Sequence, residues 1–113
     1  MEKIIELIDT YLSNYSTYEN GKVNFENEYC ELIFFKDKSS ILTLYGIYIF
    51  PEHRQKGYCR DILCYLIDNG SKNFKYLCVQ SVLSKVLYEY LLRFKYNNRY
   101  FEIKKDGFFC KLK

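Results

Sequence analysis

Apolar side chains recur at two different spacings along the chain, and those spacings separate predicted helices from predicted strands. Residues 2 to about 17 show the helical spacing and predict one amphipathic helix, whose apolar face consists of Ile4, Ile8, Tyr11, Leu12 and Tyr15. Within residues 22–37 the strongest strand pattern covers 29–35. The polar segment 36–40 that follows predicts a hairpin turn into the next strand.

The longest nearly apolar run is the segment 41–50, which ends at Pro51. Its β-branched and aromatic residues predict a strand that is covered on both faces, in the middle of a sheet. A charged loop containing Gly57 follows. Beyond that loop, apolar residues at helical spacing predict a helix that ends at Asn69 and Gly70, with a buried stripe of Cys59, Ile62, Leu63, Leu66 and Ile67.

The second half of the chain alternates strands with helices. Residues 76–79 predict a short buried strand, and the apolar positions within 82–94 predict a second helix. A strand, a helix, a strand and a helix in succession indicate a parallel β-α-β crossover. The chain then ends in a predicted hairpin of residues 100–104 and 108–112, joined by a tight turn at Asp106–Gly107.

Length and composition favour a single globular domain over residues 1–113. Of the 113 residues, 49% are apolar and 27% are charged, and half that length would be close to the lower limit for an independent core. The net charge of +3 is spread along the sequence, with Lys104–Lys105 as the one adjacent basic pair. Because a nucleic-acid-binding protein needs a clustered basic face, we do not expect nucleic acid as a partner.

No segment has the pattern of a membrane span or a secretory signal. The run 41–50 is half as long as a bilayer-spanning helix, and the segment Met1–Ile4 is charged rather than apolar. We therefore expect a cytoplasmic protein without a membrane partner. In that compartment the five cysteines should be reduced core residues, and with one histidine and no C-x-x-C pair they predict no metal site.

Residues 47–63 join a buried strand, a basic glycine-containing turn and the start of a helix. The first backbone N–H groups of a helix have no partner within it and lie at the positive end of its dipole, which suits a phosphate or pyrophosphate. Arg54, Lys56 and Arg60 add positive charge, and Gly57 lets the backbone approach an anion. From the residues alone, this segment is either an anion site or a solvated basic loop that caps a helix.

The same segment resembles the acyl-CoA-binding motif of the GCN5-related N-acetyltransferase (GNAT) family. In that motif an apolar strand is followed by Pro, then Arg/Gln-x-x-Gly-x-Gly/Ala, then a helix. Arg54, Gly57 and Cys59 occupy the three motif positions, and Pro51 and Leu63 also match. Cys59 departs from the family's preference for glycine or alanine. The resemblance implies the GNAT-like acyl-CoA N-acyltransferase fold, a mixed α/β architecture whose central mixed sheet has helices on both faces.

The resemblance also implies acetyl-CoA as the cofactor. In the family, loop amides bind the coenzyme A pyrophosphate, and backbone groups at the end of the preceding strand pair with pantetheine. The cofactor-binding residues implied for this chain are Ile47, Ile49, Phe50, Arg54, Gln55, Lys56, Gly57, Tyr58, Cys59 and Arg60.

In the family, a tyrosine on the helix after the next strand acts as the general acid, seven residues beyond a position that is often Asn. One register places Ser84 and Leu91 at these positions, and a register shifted back by three residues places Ser81 and Tyr88 there. The first register fits the following strand better but lacks the tyrosine. An active enzyme would then use Tyr88, Tyr90, Ser84 or water as the proton donor, or would release the thiolate unaided. Of these, Tyr90 and Ser84 are the predicted catalytic residues.

No spacing identifies the base that would deprotonate the acceptor amine. Glu28 and Glu31 are candidates by position, and Tyr48 could orient a water molecule. His53, the single histidine, should be structural, as a residue at this position is in the family. Cys59 should not carry the acyl group, because the family transfers it directly.

The resulting prediction is an N-acetyltransferase that moves acetyl from acetyl-CoA directly to a primary amine of a protein or small molecule. The alternative is a GNAT-fold binding or interaction protein without catalytic activity, motivated by Leu91, Cys59 and the short N-terminal region. A nucleic-acid-binding factor rests only on the isoelectric point near 8.5. The aromatic hairpin at residues 100–112 is compatible with a homodimer.

Overall fold

The computed structural model describes residues 1–80, 82, 84–105 and 107–113. Within these ranges no helix combines the length and the apolar character that crossing a membrane requires. The described chain forms one six-stranded sheet with three α-helices packed against it, and a small two-stranded hairpin beside it.

Helix α1 covers Glu2–Asn14 and is extended by a 3-10 turn at Tyr15–Thr17, so the predicted first helix is confirmed. Its buried face consists of Ile4, Ile8 and Tyr11. The Tyr11 ring stacks on the ring of Phe34 in the sheet, with the two centroids 4.2 Å apart. This contact attaches the N-terminal helix directly to the sheet.

The strands are β1 (Gly21–Glu26), β2 (Cys30–Lys36), β3 (Ile41–Ile49), β4 (Tyr76–Val79), β5 (Lys95–Tyr96), β6 (Arg99–Tyr100), β7 (Glu102–Lys104) and β8 (Gly107–Lys111). The large sheet has the order β1-β2-β3-β4-β8-β7. Its β3 and β4 are parallel, and the other neighbouring pairs are antiparallel. The continuous apolar strand β3 lies in the middle of the sheet, as predicted, but described helices cover only one of its faces and not both.

A β3-α2-β4 crossover produces the parallel pair, with helix α2 over Tyr58–Gly70. This confirms the predicted strand-loop-helix segment and its buried stripe of Ile62, Leu63, Leu66 and Ile67. At the end of the helix, a Cβ on Gly70 would lie 2.9 Å from Leu42 Cδ2. The glycine therefore lets α2 lie close against β3.

Helix α3 covers Lys85–Arg93 and is shorter than the predicted segment 82–94. The Ser84 side chain caps its first turn, which is why the helix begins there. Leu91 is fully buried, as the apolar spacing predicted. Val86, another of the apolar positions within 82–94, is instead 79% exposed.

The small β5-β6 hairpin has no counterpart among the predicted elements. Its turn residues Asn97 and Asn98 have positive φ values of 51° and 61°, a conformation in which Asn is enriched. The last hairpin, β7-β8, confirms the predicted antiparallel pairing. The predicted turn at Asp106–Gly107 is wrong for Gly107, which begins β8 with φ 142° and pairs with Lys104, and Asp106 is outside the described residues.

All three described α-helices lie on one face of the sheet, here named the helix face, where the prediction had helices on both. Gly70 of α2 lies against Leu42, and Tyr88 of α3 packs edge-on against Phe108 with centroids 5.1 Å apart. The strand register places both sheet residues on the face that carries Phe34, against which α1 stacks. The physical reason is that the β3-to-β4 and β4-to-β7 connections run in one direction across the sheet, and right-handed crossovers then leave their helices on one side.

The opposite face, here named the open face, carries no helix of the described chain. Its central row consists of residues that pair directly across all six strands: Lys22, Phe35, Thr43, Cys78, Phe109 and Glu102. The two phenylalanines are partly exposed, whereas the two small residues at the centre are buried. The face thus has small residues flanked by phenylalanines in its middle, Lys22 at the β1 end, and both Glu102 and Lys104 at the β7 end. Lys104 Nζ lies 5.7 Å from the centre of the Phe109 ring.

Candidate functional site

Only the first half of strand β3 pairs with β4, and beyond the end of this pairing the sheet has a gap. The two strands pair from Ile41 to Leu44, and the Gln80 N–H extends the contact by donating to the Leu44 carbonyl at 3.0 Å. From there β3 continues to Ile49 without β4 beside it. The free half of β3 therefore forms one wall of the gap.

A bulge in β3 sets the direction of this free half. The pairing with β2 skips Tyr45, which is an extra residue between Leu44 and Gly46. The extra residue keeps Leu44 and Ile47 on the same face although they are three positions apart. Glycine suits the bulge, because a Cβ at Gly46 would lie only 3.2 Å from Ile33 Cδ1.

The backbone groups of Ile47 and Ile49 face the gap. The Phe50 N–H donates to the Tyr29 carbonyl at 3.0 Å, and hydrogen-bonded pairs alternate along an antiparallel ladder. Ile47 and Ile49 therefore turn their N–H and C=O groups away from β2. Arg54 Nε donates to the Ile49 carbonyl at 2.8 Å, so in the described chain the Ile49 N–H and both groups of Ile47 can meet a ligand.

The gap opens into a cleft of about 800 Å³ between β3, the loop after it, and helices α2 and α3. One side is lined by Ile47, Tyr48, Ile49, His53, Arg54, Gln55, Gly57, Tyr58, Cys59 and Arg60, and the other by Ser84, Val86, Leu87 and Tyr90. None of these lining residues is acidic, and two are arginines. The charge of the cleft therefore favours an anionic ligand.

The cleft brings together the predicted site residues, except for Phe50 and Lys56. Phe50 uses its N–H within the sheet, and its ring packs edge-on against Tyr48 with centroids 5.7 Å apart. Lys56 is exposed on the loop and does not line the cleft. Its ammonium can attract an anion over a distance, but the side chain does not contribute to the walls of the cleft.

The loop before α2 curls through two residues with left-handed backbone, Gln55 at φ 62° and Gly57 at φ 79°. Gly57 is the N-cap of α2 and offers no side chain to the first N–H groups of the helix. The amides of Tyr58, Cys59 and Arg60 are therefore the donors that an anion at this helix start would use. A Cβ on Gly57 would meet no atom within 4 Å, so the space before the loop is open.

The two arginines hold different parts of the site. The Arg54 guanidinium lies 5.0 Å from the centre of the Tyr48 ring while its Nε bonds the end of β3. The Arg60 side chain reaches across to the end of α3, where Nη2 donates to the Lys95 carbonyl at 3.3 Å and the guanidinium lies 5.3 Å from the Phe94 ring. Arg60 therefore links the two helical walls of the cleft.

Tyr90, and not Leu91, faces the cleft. The Tyr90 hydroxyl is buried without a well-formed hydrogen bond in the described structure. Burial raises its pKa, and the Arg60 guanidinium opposes this through weak hydrogen bonding and its charge. Tyr90 is therefore protonated near neutral pH and can donate a proton. Leu91, which the preferred register aligns with the family's tyrosine, is fully buried in the core and does not reach the cleft. In the other register, Tyr88 is 39% exposed beside β8, and Ser81 is outside the described residues.

Two further candidates from the sequence have structural roles. Ser84 Oγ accepts a hydrogen bond from the Leu87 N–H at 3.2 Å as the cap of α3. The His53 ring lies 4.5 Å from the Tyr29 ring, and its Nδ1 is buried without a partner in the described chain. Burial raises the pKa of the Cys59 thiol to about 11, which keeps it protonated and weakly nucleophilic at neutral pH.

The two glutamates named as candidate bases do not line the cleft. Glu28 is exposed and forms an ion pair with Lys3 Nζ at 2.5 Å. In the strand register, Glu31 of β2 lies opposite Tyr48 of β3 on one side and opposite Glu26 of β1 on the other. Among the described residues, no cluster of three or more His, Cys, Asp or Glu side chains could hold a metal ion.

Sequence reasoning missed two residues of the α3 wall, Val86 and Leu87. A signal for them exists in the sequence, because Val86 and Tyr90 are four residues apart and form a second apolar stripe beside the stripe of Leu87 and Leu91. A helix whose apolar surface is wider than one core-facing stripe often has a second contact to make.

No protein-family model and no curated protein sequence matches this chain. Among solved structures, a "putative acetyltransferase" from Exiguobacterium sp. 255-15 matches with a TM-score of 0.51 and 15% identity, over 93% of this chain and 74% of that chain. The ribosomal-protein-S18-alanine N-acetyltransferase from Escherichia coli gives a TM-score of 0.46 and 19% identity, over 88% and 71% of the two chains. The likeness to the first structure confirms the predicted GNAT-like mixed α/β fold.

Proposed function

We propose that this protein is an N-acetyltransferase that transfers the acetyl group of acetyl-CoA to a primary amine of a protein or small molecule. The observation that carries the proposal is the cleft, in which the free edge of β3 lies beside the uncapped start of α2. An extended ligand with an amide-containing arm and a pyrophosphate needs both features at once. The cationic lining supports the same assignment.

The residues of the cleft fit such a ligand. Ile47 and Ile49 offer strand-type backbone groups, which pair well with an amide chain laid along β3. The first amides of α2 offer donors for a pyrophosphate, and the open space before Gly57 allows its close approach. Bound acetyl-CoA would supply an acetyl thioester, an activated acyl group with a thiolate as its leaving group.

Proton transfer at this site would rest on few groups. Tyr90 carries a protonated hydroxyl on the α3 wall of the cleft and is the proposed donor to the leaving thiolate. Among the residues that the structure describes, no carboxylate lines the cleft, so we expect the acceptor to react as a neutral amine or to lose its proton to water. The rate should then rise with pH toward the pKa of the acceptor amine.

A second candidate function is coenzyme A binding without turnover. Leu91 favours it, because a fully buried leucine occupies the position that the preferred register matches to the general acid. The same cleft would then serve as a ligand or partner site. The two candidates agree on binding and differ only in whether acetyl leaves the cofactor.

The deciding experiment titrates the purified protein with acetyl-CoA in a calorimeter and then incubates the complex with a broad amine panel. Mass spectrometry would detect acetylated amine, with Gly57→Trp as the loop-blocked control. Binding with transfer that Gly57→Trp abolishes supports the acetyltransferase. Binding without transfer to any amine supports the second candidate. The absence of binding at about 1 mM acetyl-CoA, an affinity worth only about 4 kcal/mol, would reject both.

A further inference from the structure

The central row of the open face has the same chemistry in both directions, apart from the sign of its terminal charges. From β1 to β7 it contains a cation, a phenylalanine, two small residues, a phenylalanine and an anion: Lys22, Phe35, Thr43, Cys78, Phe109 and Glu102. Residues that lie directly opposite each other on neighbouring strands have their side chains on the same face of the sheet, so these six side chains form one continuous row on the open face.

We propose that two copies of this chain associate through their open faces as a homodimer. A twofold axis parallel to the strands, passing between Thr43 and Cys78, would reverse the row in the second copy. Lys22 then lies opposite Glu102 of the other copy, and Glu102 lies opposite its Lys22. In a self-complementary twofold interface, a residue of one copy contacts a second residue of the other copy, and the same contact forms again with the two copies exchanged.

The charges also select this axis over the alternative. A twofold axis perpendicular to the strands would leave the row unreversed and bring Lys22 near Lys22 and Glu102 near Glu102, which is repulsive. Lys22 already extends over the face, because its Nζ lies 4.4 Å from the centre of the Tyr45 ring. Its ammonium is therefore held on the side where the second copy would approach.

The apolar middle supplies the area that such a dimer buries. Reversal of the row places Phe35 opposite Phe109 of the second copy, and both rings are partly exposed in the single chain. Six strands at about 4.8 Å spacing and some five residues in length make a face of roughly 25 Å by 15 Å. Two such faces cover roughly 750 Å² in total, less than the ~1,200 Å² at which standard specific interfaces begin, so the dimer should be weak, reversible and concentration-dependent.

The test measures the self-association of the full chain by sedimentation equilibrium, with the variants Lys22→Glu, Glu102→Lys and the double charge swap. Each single variant places like charges at both ends of the row and should weaken dimerisation at least about tenfold. The double variant restores opposite charges and should return to within about threefold of the wild type. Lys72→Glu, which changes an exposed residue after α2 by the same charge, should leave dimerisation unchanged.

Two outcomes would overturn the proposal. One is a wild-type chain that stays monomeric at about 1 mM. The other is a dimer whose dissociation constant does not respond to the single variants, which would place the contact elsewhere, such as the β7 edge. If a charge reversal prevents folding, Lys22→Gln and Glu102→Gln test the same contact by removing one charge, each with about threefold weakening.

Discussion

Substitution of Gly57 separates the backbone requirement of the loop from its role in binding. Its φ of 79° is left-handed, and a Cβ at this position would meet no atom within 4 Å. A small side chain is therefore opposed by backbone strain alone. A large one would in addition fill the open space at the start of α2, where we place the pyrophosphate.

The expected cost follows from these two facts. A left-handed backbone costs an L-residue about 1–2 kcal/mol, and no steric term adds to it here. Gly57→Ala should thus lower the free energy of unfolding by about 1–2 kcal/mol, with a fall in Tm of about 4–8 °C per kcal/mol for a domain of this size. Gly57→Asn should cost less, because Asn tolerates this conformation.

The assays are urea denaturation and calorimetric titration with coenzyme A. Gly57→Trp should remain folded but bind at least about tenfold more weakly, equal to about 1.4 kcal/mol, whereas Gly57→Ala should bind nearly as well as the wild type. Gly21→Ala is the matched control, since Gly21 also has a positive φ, 123°, and open surroundings but begins β1 away from the cleft. It should lower stability without changing the affinity.

A folded Gly57→Trp variant with wild-type affinity would show that coenzyme A does not use this loop. An Ala variant as stable as the wild type would refute the left-handed conformation at Gly57. Equal losses of affinity in Gly21→Ala and Gly57→Trp would mean that binding follows stability and not position.

Three other predictions concern single side chains. Tyr90→Phe removes a buried hydroxyl that has no well-formed hydrogen bond in the described structure, so denaturation should show unchanged stability or a gain of up to about 1 kcal/mol. The kcat should fall with KM unchanged if Tyr90 donates a proton. Burial raises the pKa of Cys59 from 9.0 to about 11, so stability present below pH 9 should decline between pH 9 and 11. Urea denaturation at pH 9 and at pH 11 should show that the free energy of unfolding falls by up to about 2.7 kcal/mol less in Cys59→Ala than in the wild type. Lys3→Ala breaks an ion pair whose side chains are 60% and 57% exposed to solvent, and calorimetry should find a Tm close to that of the wild type.

The sequence by itself determined most of the local elements and the position of the basic glycine loop. The stripes of α1 and α2 and the apolar run of β3 were readable because burial of one helix face, or of a strand in the middle of a sheet, constrains which residues can stand next to each other. Gly57 and the basic residues around it were readable for a related reason, since a turn into a helix start needs few residues, all adjacent in the chain. The parallel β3-α2-β4 unit followed from the order of the elements.

Only the tertiary structure decided which helix residue faces the cleft and how the sheet is covered. Tyr90 and Leu91 are neighbours, and the rotation of α3 against the sheet places the first at the cleft and the second in the core. The extra residue Tyr45 in β3 and the one-sided helices likewise depend on pairings between distant segments. The row from Lys22 to Glu102 joins residues 80 positions apart, and no local spacing carries that information, because strand register is set by the packing of the whole sheet.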